Sequence, residues 1–175
     1  MSDWLLQRPY GVRFQCGPTR ARRLAADVAC LVVVDVLSFT TFMTVAVEAG
    51  TRVYPYAWRD ETAAIFAAEK SAALAVGRRA ATSDSPWSLS PAALRRATFA
   101  TRLVLPSPNG SAISAAATAG STVVAGCLRN ASAVGRWLAV RGYGTPRLLV
   151  AVIAAGERWP ALENLLGAGA IVAAL

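Results

Sequence analysis

Four short polar clusters interrupt an otherwise apolar chain, and each follows a run that reads as a β-strand. The first is Asp35-Val36-Leu37-Ser38-Phe39-Thr40-Thr41 and the second Pro106-Ser107-Pro108-Asn109-Gly110-Ser111. The third is Gly126-Cys127-Leu128-Arg129-Asn130-Ala131-Ser132. The fourth is Gly156-Glu157-Arg158, with Glu163 shortly beyond. In an open α/β sheet, ligands bind outside the carboxyl ends of the strands. Three carboxylates there suit a divalent cation with oxygen ligands, Mg²⁺ first among them. Ser, Thr, Asn and Gly at helix starts supply donors for phosphate oxygens. The combination predicts metal-assisted phosphoryl chemistry on a small anionic phosphate ester. The competing structural reading is that Asp35, Asn109 and Asn130 cap the helices that follow them.

The chain contains no histidine. A Ser-His-Asp triad, a phosphohistidine and a His-based zinc site are therefore excluded. Acid–base work falls to carboxylates, Cys, Lys, Tyr or metal-bound water. A second pattern, Cys16-Gly17-Pro18-Thr19-Arg20-Ala21-Arg22, has the Cys-x5-Arg spacing of cysteine-dependent phosphatases, with Cys16 as nucleophile and Arg22 as anion holder. Pro18 removes one backbone donor from such a loop. Three cysteines, Cys16, Cys30 and Cys127, without CxxC spacing point away from both a disulfide framework and a structural zinc site.

The chain has 175 residues, enough for one domain with a real core, and 55% of them are hydrophobic. Its net charge is +8, and the Arg residues occur singly or in pairs without interleaved aromatics. A solvated surface is expected, with no nucleic-acid partner. The longest apolar runs are near ten residues, half of the ~20 that a membrane helix needs. The N-terminus lacks the pattern of a signal peptide. The expectation is a cytoplasmic protein that no membrane holds. The apolar ending Ala173-Ala174-Leu175 predicts that a C-terminal part is missing from a single domain over 1–175.

The elements that must position these clusters alternate. Strands are predicted at 11–15, 28–36, 52–57, 74–76, 102–105, 121–126 and 147–154. Helices are predicted at 19–26, 40–48, 60–73, 110–119, 130–140 and 162–174, with a Ser/Thr/Pro-rich loop over 81–91. Such alternation means an α/β protein with a mostly parallel sheet.

Taken in order, Val32-Val33-Val34-Asp35-Val36-Leu37 with Thr40-Thr41, Pro108-Asn109-Gly110-Ser111, Asn130-Ala131-Ser132-Ala133-Val134, and Ala155-Gly156-Glu157 with Leu162-Glu163-Asn164-Leu165 resemble the 2-phosphosulfolactate phosphatase family (ComB type). The resemblance covers about residues 10–175. It implies a three-layer α/β/α fold and a Mg²⁺-dependent phosphatase that converts 2-phosphosulfolactate to sulfolactate and phosphate in coenzyme M biosynthesis. It also implies a dimer, and the five Trp residues and apolar strands are compatible with a homodimer. Carried onto this chain, it puts Asp35, Glu157, Glu163 and Asn164 at the metal and Asp35 and Glu157 in catalysis. Ser38 and Thr40 would line the acid-binding side, while Asn109, Gly110, Ser111, Asn130 and Ser132 hold phosphate oxygens. Ser38 stands where the family usually has Arg, so Arg129 or Arg158 is expected to supply that cation. Asn164 stands where the family typically has Asp, which removes one ligand charge. The attacking group is either a metal-activated water or Asp35 itself. A non-catalytic anion-binding protein on the same scaffold is the reading from a different class.

Overall fold

The computed structural model describes residues 3–83, 85–117, 121–156 and 159–175. After a short 3₁₀ turn at Asp3–Leu6, the strands are β1 (Val12–Cys16), β2 (Cys30–Val34), β3 (Arg52–Tyr56), β4 (Ala73–Leu74), β5 (Arg102–Pro106), β6 (Thr122–Gly126) and β7 (Val150–Ala154). The helices are α1 (Pro18–Ala25), α2 (Phe39–Glu48), α3 (Glu61–Glu69), α4 (Pro91–Leu94), α5 (Gly110–Ser114), α6 (Ala131–Val140) and α7 (Leu162–Ala173). Strand and helix alternate as expected for an α/β protein.

The strands divide between two parallel sheets where the sequence reading expects one. The larger has the order β1-β7-β2-β6 and the smaller β3-β5-β4. In the larger sheet β2 pairs on both sides, Val32 opposite Val124 and Val152. Every residue of β2 and β7 is buried, which explains their continuous Val, Ile, Leu and Ala runs: a central parallel strand has no solvent face.

Two apolar clusters make the layers. One face of the larger sheet packs Val32, Val34 and Val152 against Val134, Leu138, Ala168 and Ile171 of α6 and α7. The other presents Leu31, Val33 and Ile153 to α1, α2 and α5. Helices thus cover both faces in an α/β/α arrangement. The second cluster also takes in Leu103 and Leu105 of β5, so the smaller sheet shares that core.

Helix ends follow local chemistry. The Asp60 side chain accepts from Thr62 N–H (3.0 Å) and caps α3 as the sequence predicts. That helix stops at Glu69, earlier than expected, because Ser71 adopts a positive φ of 48° and the chain turns into β4. The Ser/Thr/Pro-rich stretch contributes a bridge between Val76 and Ser88. It leads into α4, where Ser90 caps Ala93 N–H and Pro91 takes the first turn. Strand β7 starts at Val150, after a turn in which Thr145 bridges Leu148. Among the described residues, no helix is long and apolar enough to cross a membrane.

Candidate active site

Asp35 leaves the carboxyl end of β2, at the centre of the larger sheet, and is 7% exposed. The loop after it is fixed by its own hydroxyls. Thr40 Oγ1 donates to Asp35 C=O (2.8 Å) and accepts from Asp35 N–H (3.1 Å), and Thr41 Oγ1 donates to Val36 C=O (2.7 Å). Across the gap, Gly110 N–H donates to Asp35 Oδ2 (3.1 Å) and also reaches Ser107 Oγ (3.3 Å). This contact ties the end of β5 in the smaller sheet to the end of β2 in the larger. It needs glycine, since a Cβ at Gly110 would sit 2.1 Å from the Phe39 ring.

Asp35 lies in a cleft of about 440 Å³ whose walls include Ser38, Arg59, Arg78, Ser107 and Asn109. Four strand ends meet there: β2 gives Asp35, β3 Arg59, β4 Arg78, and β5 Ser107 and Asn109. Burial pushes the Asp35 carboxyl above the usual carboxylate range. The amides of Gly110 and Phe39 and the Arg59 guanidinium pull it down, the Glu163 charge pushes it further up, and burial wins.

The structure brings some of the expected residues together and disperses others. Ser38 and Asn109 line the cleft, although the Ser38 hydroxyl already donates to Leu89 C=O (2.6 Å). Thr40 is fully buried and its hydroxyl is spent on Asp35, so it shapes the loop and does not line the acid-binding side. Ser111 is likewise buried, its hydroxyl donating to Leu105 C=O (3.3 Å). Gly110 gives its N–H to Asp35, not to a phosphate oxygen. Asn130 folds back on its own strand end, accepting from Cys127 N–H (2.8 Å) and donating to Ala125 C=O (2.9 Å). Its side chain makes no capping bond to α6, so it neither caps that helix nor offers itself to a phosphate. Ser132 is exposed on α6. Arg129 pairs with Glu48 beside a separate groove that also borders Met43 and Val47, away from Asp35. The expected cation from Arg129 is therefore absent from the cleft, while Glu157 and Arg158 lie outside the described residues.

Arg59 and Arg78 hold that place. A consistent search after every strand would have found them, because Trp58-Arg59-Asp60 follows β3 and Gly77-Arg78-Arg79 follows β4. Ser107 belongs to the second polar cluster of the sequence.

The Cys-x5-Arg loop does not form. Helix α1 begins at Pro18, so the residues that would cradle phosphate are helical and Arg22 is exposed on that helix. Cys16 is buried, and Arg20 Nη1 lies 2.9 Å from its sulfur. Burial pushes the Cys30 thiol up to about 12, as for an inert core residue.

Among the described residues, no three Asp, Glu, Cys or His side chains converge as metal ligands. A Mg²⁺ site needs less: one or two carboxylates, several waters and the substrate's phosphate oxygens. Asp35 supplies one such carboxylate to the cleft, whereas Glu163 does not line it and acts on Asp35 only through its charge, the weakest of the influences on that carboxyl. Asn164 does not fit. Its Oδ1 accepts from Val36 N–H (2.7 Å) and its Nδ2 donates to Ala155 C=O (3.1 Å), so it clamps the ends of β2 and β7 together. The second bond requires an amide, since an ionised carboxylate has no proton to give.

No curated protein matches the chain. The family model for 2-phosphosulpholactate phosphatase does match, over residues 18–175, and by that match the chain belongs to the 2-phosphosulpholactate phosphatase family.

Proposed function

We propose that this chain is a Mg²⁺-dependent phosphatase that hydrolyses a small acidic phosphate ester, with 2-phosphosulfolactate as the first substrate to test. One observation carries the reading: a buried carboxylate, Asp35, lies in a polar cleft of about 440 Å³ whose walls carry two guanidinium groups. Family membership supports the reaction class.

Arg59 and Arg78 bind the anionic oxygens of the ester. A planar guanidinium matches phosphate or carboxylate geometry through paired N–H donors and stays charged at any working pH. Among the described residues Arg78 has no carboxylate partner, so its charge is available to a ligand. Asn109 adds neutral hydrogen-bonding groups at the mouth of the cleft. Asp35 receives the proton of the attacking water. Its raised pKa suits it to that task better than an ordinary surface carboxylate, because a base works best near the operating pH. The amides of Gly110 and Phe39 hold the carboxylate in one orientation. Asp35 is the carboxylate of the cleft that would hold Mg²⁺, and the family resemblance adds Glu163 and Glu157. When bound, the ion supplies Lewis-acid polarisation of the phosphoryl group and a more acidic water.

The test is phosphate release from 2-phosphosulfolactate and p-nitrophenyl phosphate, with Mg²⁺, with EDTA, and in Asp35→Asn. Release that needs both the metal and Asp35 supports the reading. Release that survives EDTA and the substitution refutes it. Tight sulfate or phosphate binding without turnover replaces it with an anion-binding protein.

A further inference from the structure

The cleft over Asp35 does not end at Arg59. A second cavity, of about 200 Å³, shares Arg59, Gly77 and Leu89 with it, so the two adjoin along one rim. Their chemistry differs. The first is walled by charged and hydroxyl-bearing side chains, while the second is walled by Ala63, Leu74, Ala75, Val76, Leu89 and Pro106. The one carboxylate on its border, Asp60, is occupied as the cap of α3 and bonds both the N–H and the hydroxyl of Thr62. Arg59 Nε donates to Pro106 C=O (3.4 Å), which fixes that arginine on the shared rim. Gly77 on that rim is exposed, and a Cβ there would meet nothing within 4 Å, so no side chain stands at this point of the rim.

A polar cleft that adjoins an apolar recess selects for a ligand with the same division. Small-molecule sites bury an apolar body and use a few polar groups to orient it. We propose that the preferred substrate is an acidic phosphate ester whose carbon skeleton carries an unbranched apolar side chain of about three to five carbons. Its phosphate and acid group lie in the cleft with Arg59 and Arg78, and its side chain passes Gly77 into the recess. The room supports that length: about 200 Å³ corresponds to roughly six groups of ~30 Å³, the share of one water in the liquid. This inference rests on the phosphatase reading and goes beyond it, because a compact ester such as 2-phosphosulfolactate leaves the recess unfilled.

The test uses non-hydrolysable 2-(phosphonomethyl)alkanoic acids bearing hydrogen, methyl, propyl or pentyl at carbon 2, titrated calorimetrically into the full chain with Mg²⁺ present. Each methylene taken from water into an apolar wall tightens binding about fourfold, so the propyl compound binds roughly 60-fold tighter than the unsubstituted one. Ala63→Leu, which fills the recess from α3 without touching the cleft, flattens the series and leaves the affinity of the unsubstituted compound unchanged. A flat or falling series in the unsubstituted protein overturns the proposal, and so does a slope that persists in Ala63→Leu. Phosphate release from 2-phosphosulfolactate and from 2-(phosphooxy)pentanoate, the hydrolysable ester that matches the propyl compound, by the same preparation separates the two claims. Release with a flat series overturns the recess alone, whereas a rising series without release overturns the phosphatase reading and retains the binding specificity.

Discussion

Asn164 offers the sharpest test of how this site is built, because two accounts of it predict opposite results. By family resemblance it is a metal ligand that has lost its charge. By geometry it is a clamp: 5% exposed, it joins Val36 N–H to Ala155 C=O through one amide. Asn164→Ala leaves both backbone groups buried without a partner. Each such group costs about 1–3 kcal/mol, so a conservative value for the pair, in the lower half of its range, is about 3 kcal/mol. For a 175-residue chain, 1 kcal/mol moves Tm by about 2–4 °C, which gives a drop of roughly 6–12 °C. Circular-dichroism melting and urea titration read it, with the midpoint falling and the slope unchanged. Asn164→Asp sharpens the contrast. The new carboxylate can still accept from Val36 N–H but cannot donate to Ala155 C=O, and it buries a charge. Burial raises its pKa, so the variant is closest to the parent at acid pH, where the carboxyl is protonated, and loses stability as pH rises through the raised folded pKa. A variant within about 2 °C of the parent without metal, gaining stability and Mg²⁺ affinity from the added charge, would refute the clamp.

Three further outcomes are expected. Asp35→Asn abolishes phosphate release and raises the urea midpoint at pH 8; that gain fades as pH falls through the raised folded pKa of Asp35, below which the parent side chain is also neutral. Arg59→Ala raises KM and moves the acid limb of the kcat/KM profile to higher pH, since Arg59 now holds the Asp35 pKa down; an unmoved limb removes Asp35 as the titrating base. Arg129→Ala leaves kcat/KM unchanged and alters stability by about 0.2–1 kcal/mol, as for a pair whose side chains are 36% and 60% exposed; a large loss of activity would return Arg129 to the site.

The parts legible in the sequence are those where one residue's neighbours along the chain decide its state. Cys30–Val34 and Val150–Ala154 read as buried strands because a central parallel strand is apolar on both faces. Asp60 reads as a cap because its partner, Thr62 N–H, is two residues away. Asp35 stands out because a carboxylate after such a run needs a reason. The division into two sheets is not legible, since Cys30–Val34 and the Leu103-Val104-Leu105 run of β5 both read as buried strand and nothing local says that β5 pairs with β3 rather than with β2. Arg59 and Arg78 escaped for a related reason. Strand β3 contains Pro55 and is half-exposed, and β4 has two residues, so neither drew attention to the loop behind it. The roles of Thr40, Ser111, Asn130 and Asn164 depend on partners that only the fold supplies. All four spend their side-chain groups on backbone, as buried polar groups must unless a ligand or water satisfies them.

That accounting decides how an anion is held. The sequence suggests a cradle of backbone N–H and hydroxyl groups at Asn109-Gly110-Ser111. In the fold, Gly110 N–H is committed to Asp35 and the Ser111 hydroxyl to Leu105, which leaves the cradle short of donors. The same commitment performs another task, because the Asp35–Gly110 bond fastens the carboxyl ends of two sheets to each other. Once the sheets are fastened there, β3 and β4 deliver Arg59 and Arg78 to the opposite wall of the cleft. Anion binding thereby passes from fixed dipoles to two formal charges. On the proposed reading charges are the stronger partners for a multiply anionic ester, and Arg59 also lowers the pKa of Asp35. On the proposed reading, the cation that the family resemblance leads one to expect at position 38 comes instead from the second sheet, as Arg59 and Arg78 on the wall of the cleft.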